Sequence, residues 1–340
     1  MTPVDPTEHP QDWSGVRLHV VTGKGGTGKT TVAASLALAL ASRGKDVLLC
    51  EVEGRQGIAQ LFDVPPLPYE ERRIARGAGG PNSGGNLFAL AIEPEAALKE
   101  YLAMYYHLGR AGKALDRFGV IDFATTIAPG VRDVLLTGKV YEAVHRNRRG
   151  RPSRAYDAVV LDAPPTGRIA RFLGVNSELA GLAKVGPIHS QADRVMTLLR
   201  SKLTVVHLVT VLEDMPVQEA ADGITELRRA GLPVGGIVVN LVRPGALDGG
   251  ARQLAMTGQL PRNEIETDLV KAGVNVTPEL VDCLLQEASD HSERRALEDS
   301  MRARIAQLDV PTYELGRVPE GLDRGSLYEL GADLREQGMA

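Results

Sequence analysis

Eight residues near the start of the chain, Gly23-Lys24-Gly25-Gly26-Thr27-Gly28-Lys29-Thr30, constrain its fold more than any other segment. They follow a short β-branched run, Val16 to Thr22, and lead directly into an alanine-leucine stretch, Thr30 to Ser42, that reads as a helix. A strand, a glycine loop spaced G-x-x-x-x-G-K-T and a helix, in that order, describe a phosphate-binding loop. The glycines let consecutive backbone N–H groups turn inward around phosphate oxygens, and the positive end of the helix adds its dipole. Lys29 is expected to reach the β- and γ-phosphates of a nucleotide. Thr30 is expected to ligate Mg²⁺ through its hydroxyl, and Thr31 to hydrogen-bond the α-phosphate. The plainer alternative is a structural glycine turn.

The alternation of strand and helix continues along the chain. Further apolar strands are predicted at Asp46 to Glu53, Asn86 to Ile92, Ala155 to Asp162, Leu203 to Val211 and Gly235 to Val242, with a helix from Val217 to Ala230. This rhythm implies an α/β fold: a mostly parallel sheet with helices on both faces and right-handed crossovers. The stretch from Pro94 to Arg149 is helical in pattern, broken at Pro129-Gly130, and too long for a simple crossover. It is read as a helical subdomain inserted at about 94–150. A second helical block is expected at about 263–308. Arg72 to Gly85 reads as a mobile surface loop, and residues 1–14, with three prolines and no apolar signal core, as a disordered leader. The remainder, 15–340, is taken as one domain.

Composition narrows the function classes. With 39 Lys+Arg against 43 Asp+Glu the net charge is −4, which argues against binding a nucleic-acid backbone by charge neutralisation. The longest nearly apolar stretch, Val32 to Ala41, is half the ~20 residues a membrane-spanning helix needs, so no integral membrane segment is expected. Cys50 and Cys283 are far apart and neither belongs to a C-x-x-C pair, which leaves no zinc ribbon or redox dithiol and makes a reduced, cytoplasmic setting the default. His19 and His207 sit in apolar strands and read as hydrogen-bonded core residues. Arg146, Arg148, Arg149, Arg151 and Arg154 form a basic stretch that reads as a solvated connector. Leu102, Met104, Leu108, Leu115, Leu135 and Leu136 read as the core of the insert, with a client groove as the alternative.

Two further positions stand at strand ends facing the loop. Asp162 closes the apolar run AVVLD, where a carboxylate is placed to hold Mg²⁺ through water, with a turn cap as the alternative. Asn240 follows GIVV, and its amide carries a donor and an acceptor that match the N6/N7 edge of adenine. Asparagine at a strand end is also a common turn former.

Lys24 is a second lysine that an ordinary phosphate loop does not require. The loop GKGGTGKTT resembles the deviant Walker A of the MinD/ParA/ArsA superfamily, whose members dimerise with nucleotide at the interface. The resemblance implies that Lys24 reaches the partner's nucleotide, much as an arginine finger does, against the alternative of a solvated surface lysine. DAPPTGRIARFL resembles the switch II of the ArsA branch, which implies that Gly167 presents its N–H to the γ-phosphate. PGVRDVLLTGKV is similar to the PGIDEA segment of that branch. Aligning VLLCEVEGRQGIAQLF with the branch's DPAHS-like switch I puts Glu53 at the water-positioning aspartate, Gly54 at the proline and Gln56 at the histidine. Glu53 can orient or deprotonate water, although its extra methylene displaces the carboxylate; a ribose, metal or switch contact is the competing role.

The chain is thus most similar to the ArsA-like anion-transporter ATPases of actinobacteria, each of which resembles one half of ArsA. That likeness implies ATP and Mg²⁺ as cofactors, a homodimer or a heterodimer with a paralogous subunit, and a switch acting on a protein client at the helical subdomain. The C-x-x-C of the tail-anchor ATPases is missing, so neither tail-anchor delivery nor arsenite export follows. The alternatives are a regulatory ATP-binding subunit with little turnover of its own and a ParA- or MinD-like positioning module. A nitrogenase-reductase-like electron carrier is disfavoured by the placing of the two cysteines.

Overall fold

The computed structural model describes residues 13, 15–79, 84–106, 131–146, 154–182 and 187–340. Its centre is an eight-stranded sheet. Strands β1 (Leu18–Gly23), β2 (Val47–Glu51), β4 (Asn86–Ala91), β5 (Ala158–Asp162), β6 (Thr204–Thr210) and β7 (Val234–Val242) are those predicted from the apolar runs. Two more, β3 (Arg72–Arg76) and β8 (Thr312–Gly316), lie at the edges, giving the order β3-β4-β2-β5-β1-β6-β7-β8. All neighbours are parallel except β3, which runs antiparallel to β4.

Side chains alternate across the sheet as the pleat requires. Leu18 and Val20 of β1, with Leu48 and Cys50 of β2, enter one hydrophobic layer; Val21, Val47 and Leu49 enter the other. The first layer is covered by α4 (Val131–His145), α5 (Thr166–Leu182), α6 (Pro187–Leu199), α7 (Asp214–Arg229) and the last turns of α10 (Pro278–Ala306). The second is covered by α1 (Lys29–Ser42), α2 (Gly57–Leu61) and α11 (Arg324–Glu336). Helix α1 is buried continuously from Thr31 to Ala41. An amphipathic helix would leave one side wet, but α11 covers the outer side of α1 with Leu327, Leu330 and Leu334, so Ala and Leu suit every face.

Helix α3 (Pro94–Tyr106) and α4 are the described parts of the insert. Leu135 and Leu136 are buried in the protein's own core; Leu102 and Met104 lie on α3, and Leu108 and Leu115 lie outside the described residues. The second helical block, expected at about 263–308, comprises α9 (Arg262–Lys271) and α10, preceded by an unexpected short helix α8 (Gly249–Met256), and Cys283 is exposed on α10. Among the described residues no helix is long and apolar enough to cross a membrane.

Three expectations are corrected. Arg72 to Gly85 is not a surface loop throughout: Arg72–Arg76 is a strand, disguised by arginines that suit an exposed edge. The leader does not extend to Trp13, which is 9% exposed and donates its indole N–H to Tyr313 at 3.2 Å; residues 1–12 lie outside the described residues. The basic stretch is not simply solvated. Arg146 pairs with Glu142 and Glu71, and the Arg154 guanidinium lies 4.1 Å from the Phe88 ring centroid; Arg148, Arg149 and Arg151 fall outside the described residues.

His19 and His207 are fully buried core residues, as their sequence context suggested. Gly236 donates its backbone N–H to His207 Nδ1 at 3.2 Å, which places the His207 proton on Nε2, 3.2 Å from His19 Nδ1. Burial holds the His207 imidazole down at about 3, and burial followed by the neighbouring His207 and Lys45 lowers His19 well below its usual range. Both rings stay neutral when folded but charge below roughly pH 6.5 when unfolded, so their stabilisation is present above that pH and is lost as the pH falls. His207 alone is expected to contribute a loss of about 2 kcal/mol between pH 7.5 and 5. Chemical denaturation at the two pH values should show a steeper loss for the wild type than for His207→Gln; equal slopes would refute this.

Candidate nucleotide-binding site

The phosphate loop leaves the C-terminal end of β1, between β5 and β6, where the strand order reverses. Open α/β sheets form their binding crevice at such a point. The loop is held by its own groups: Thr27 Oγ1 donates to the Lys24 carbonyl at 2.9 Å, and Lys29 Nζ lies 3.5 Å from the same oxygen. Gly28 has φ +84°, and a Cβ there would stand 2.3 Å from Asn240 Nδ2. Only glycine fits that turn, from which α1 starts at Lys29.

Thr30 and Asp162 meet beside the loop. The Thr30 hydroxyl donates to Asp162 Oδ2 at 2.7 Å. Asp162 Oδ1 is buried and accepts no hydrogen bond from the described residues. Burial pushes the Asp162 carboxyl up to about 6, against the pull of the Thr30 hydroxyl and Lys29, while Glu51 and Glu53 add to the rise. A buried carboxylate with a free oxygen beside a threonine hydroxyl fits Mg²⁺, which commonly takes one or two protein oxygens and completes its shell with phosphates and water. Among the described residues there is no cluster of three or more His, Cys, Asp or Glu that would hold a metal without them.

Beyond Asp162 the chain turns through Ala163-Pro164-Pro165 into α5, and Thr22 Oγ1 anchors that turn by donating to the Pro164 carbonyl at 2.7 Å. Gly167 lies in the first turn of α5, where amides lack intrahelical partners. Glu53 follows β2, 21% exposed, with Arg55 at 3.8 Å and Arg168 at 4.0 Å. Gln56 is in the left-handed region and is fixed by the Leu67 backbone, donating to its carbonyl at 3.1 Å and accepting from its N–H at 2.7 Å. Thr31 is buried at the start of α1.

Asn240 is 4% exposed and donates one amide N–H to the Thr27 carbonyl at 2.9 Å. The amide also carries a second N–H and a carbonyl oxygen acceptor. It faces a cleft of about 990 Å³ walled by Lys24 to Thr27, by Val211 to Pro216, and by Leu297 and Met301 of α10. Lys24 forms an ion pair with Glu219 of its own chain at 2.9 Å, both side chains about one-third exposed. The sequence reading missed Glu219, whose position depends on helix packing, and placed Arg168 only in the segment after Asp162, without its pairing to Glu53. It also missed Glu51, whose sequence signal is a lone acid ending the apolar run VLLCE.

Comparison with known proteins places the chain in a family. The profile of the anion-transporting ATPases matches residues 16–203. ATPase BagA of Mycobacterium tuberculosis is 51% identical over 330 residues, 97% of this chain and 96% of its own length. ATPase GET3 of Podospora anserina is 29% identical over 188 residues, 54% of this chain and 50% of its own length. ATPase GET3 of Phaeosphaeria nodorum is 30% identical over 193 residues, 55% of this chain and 54% of its own.

The loop geometry yields a contrast between two glycines. Gly28→Ala should destabilise the protein by about 1–3 kcal/mol, because a left-handed alanine would also collide with Asn240. Gly25→Ala, whose added Cβ meets nothing within 4 Å, should stay within about 0.5 kcal/mol of the wild type. Denaturant melts without nucleotide measure both, and similar losses would contradict the packing described.

Proposed function

The chain belongs to the anion-transporting ATPase family, and on that premise we propose that it is a Mg²⁺-dependent switch that closes as a dimer around ATP and acts on a partner or client protein. ATP hydrolysis is the reaction of the family, and the chain is an ATPase. The finer reading rests chiefly on one observation: Thr30 and Asp162 are joined at 2.7 Å with Asp162 Oδ1 left unpartnered beside the phosphate loop.

In this reading the loop amides of Gly25 to Thr30 and the Lys29 ammonium hold the β- and γ-phosphates, with Thr31 at the α-phosphate. Thr30 and Asp162 would hold Mg²⁺, the latter through water, and the ion would supply positive charge to the phosphate oxygens. Gly167 offers its N–H to the γ-phosphate. Glu53 orients the attacking water, and its ion pairs at 3.8 and 4.0 Å are too long to lock its carboxylate. Asn240 offers its remaining N–H and carbonyl to adenine. Lys24 is assigned to the nucleotide of a second subunit, either an identical copy or a paralogue. Its exposed pair with Glu219 contributes at most about 1 kcal/mol, so exchanging it for phosphate costs little. The client surface is assigned to the insert that contains α3 and α4.

Glutamate at position 53 favours a second reading, a regulatory subunit that binds ATP with little turnover of its own. Steady-state hydrolysis with Mg²⁺, run beside light scattering, separates the two. Under the first reading Lys29→Ala loses ATP binding, whereas Glu53→Gln binds ATP, accumulates as a dimer and loses about 10²-fold or more in kcat. Lys24→Ala keeps ATP binding and loses turnover. Tight ATP binding with no turnover, alone or with the paralogue, would establish the regulatory reading instead.

A further inference from the structure

Glu51 ends β2 with its side chain 3% exposed, and the reaction described above does not use it. A buried carboxylate needs compensating donors. Glu51 Oε1 accepts from the Gly57 N–H at 3.2 Å, and Oε2 accepts from the Ile58 N–H at 3.4 Å. These two amides open α2, where no intrahelical partner exists for them. The carboxylate therefore ties the end of β2 to the start of α2 across the segment that carries Glu53.

Both ends of this tie touch the phosphate site. In the sheet Glu51 lies in register with Asp162 on β5. At the other end Gly57 packs on Thr30 so closely that a Cβ would stand 3.2 Å from Thr30 Cγ2. Thr30 closes the ring through its 2.7 Å bond to Asp162. Between the anchors, Gly54 and Gln56 both have positive φ, which makes the turn compact, and Gln56 is fixed to Leu67.

We infer that Glu51 is a positioning residue for hydrolysis: its carboxylate clamps the first turn of α2 against Thr30 and so sets where Glu53 stands relative to the phosphate loop. The inference rests on Glu53 as the water-orienting residue. A carboxylate suits the task because both oxygens accept, one from each amide. Glutamine would offer one oxygen and turn an NH₂ group toward the other N–H. A shift of the turn by about 1 Å is enough to cost on the order of 10²-fold in rate without disturbing phosphate binding, which lies in the loop itself.

The test uses the full chain and compares the wild type with Glu51→Gln, Gly57→Ala and Glu53→Gln. It measures kcat, KM for MgATP, and the Kd of a non-hydrolysable ATP analogue. Glu51→Gln is expected to lower kcat about 10-fold or more while KM and analogue Kd stay within about threefold. Gly57→Ala, which wedges a methyl group between α2 and Thr30, is expected to give the same split. Loss of fold alone would move kcat and Kd together, so parallel losses overturn the inference, as does a kcat within twofold of wild type in Glu51→Gln. Should Glu51→Gln fail to fold, Gly57→Ala decides by the same criteria. If Glu53→Gln itself keeps wild-type turnover, the reading of Glu53 falls and the clamp loses its object. If Glu53→Gln is inactive while Glu51→Gln and Gly57→Ala turn over normally, only the clamp is refuted.

Discussion

Parallel pairing of β1, β2 and β5 at one level of the sheet is the constraint from which the site follows. Val21 and Glu51 are both in register with Asp162, so three chain segments leave the sheet side by side. One becomes the phosphate loop, one ends in the buried Asp162 carboxylate and one leads to Glu53. The same pairing places two buried acids next to each other, an arrangement stable only if each finds donors. Asp162 has the Thr30 hydroxyl, and Glu51 has two backbone amides. Burial still lifts Asp162 to about 6, which means that the site resists holding its negative charge alone and gains when a cation arrives.

Rigidity on the other side comes from α1. Its first residues, Lys29 and Thr30, close the phosphate loop, and from Thr31 to Ala41 it is enclosed by the sheet and by α11. A helix packed on all sides cannot shift without disturbing a close-packed layer, so its N-terminus is a fixed reference for anything bound there. The segments after β2 and β5 are held instead by local anchors, the Glu51 carboxylate at the Gly57 and Ile58 amides and Thr22 at the Pro164 carbonyl. Glu53 and Arg168 belong to these, and the side chains there are partly exposed and joined by long ion pairs.

The sequence carried most of this wherever the signal was local. The phosphate loop is legible because glycine spacing and its flanking strand and helix all lie within thirty residues, and six strands are legible as apolar runs. The edge strands were not. β3 is rich in arginine because one side of it meets water, and β8 is five residues long with only Tyr313 and Leu315 buried. Helix α11 was missed because its role, covering α1, depends on a contact some three hundred residues apart in sequence. Its local signal is a capping box between Asp323 and Ser326. Asn240 was legible as a strand-end amide but not as a brace for the Thr27 carbonyl, because that pairing spans 213 residues. Glu51 shows the limit most clearly: a lone acid in VLLCE says that something must compensate it, and only the fold says what.

The phosphate loop and the cleft beside it differ in origin. Residues 23–31, 53 and 162 all lie within the stretch that matches the family profile. Val211 to Pro216, Asn240 and α10, which wall the cleft together with Lys24 to Thr27, lie beyond residue 203. The two regions are nonetheless joined through short contacts. Asn240 holds Thr27, and a single atom added at Gly28 would strike Asn240. Helix α10 is tied to the sheet by Arg302 with Glu314 and to α7 by Arg304 with Asp214. The phosphate loop and the region beyond residue 203 are therefore one unit by packing, and a change at Asn240 is felt at the loop directly through Thr27 and Gly28.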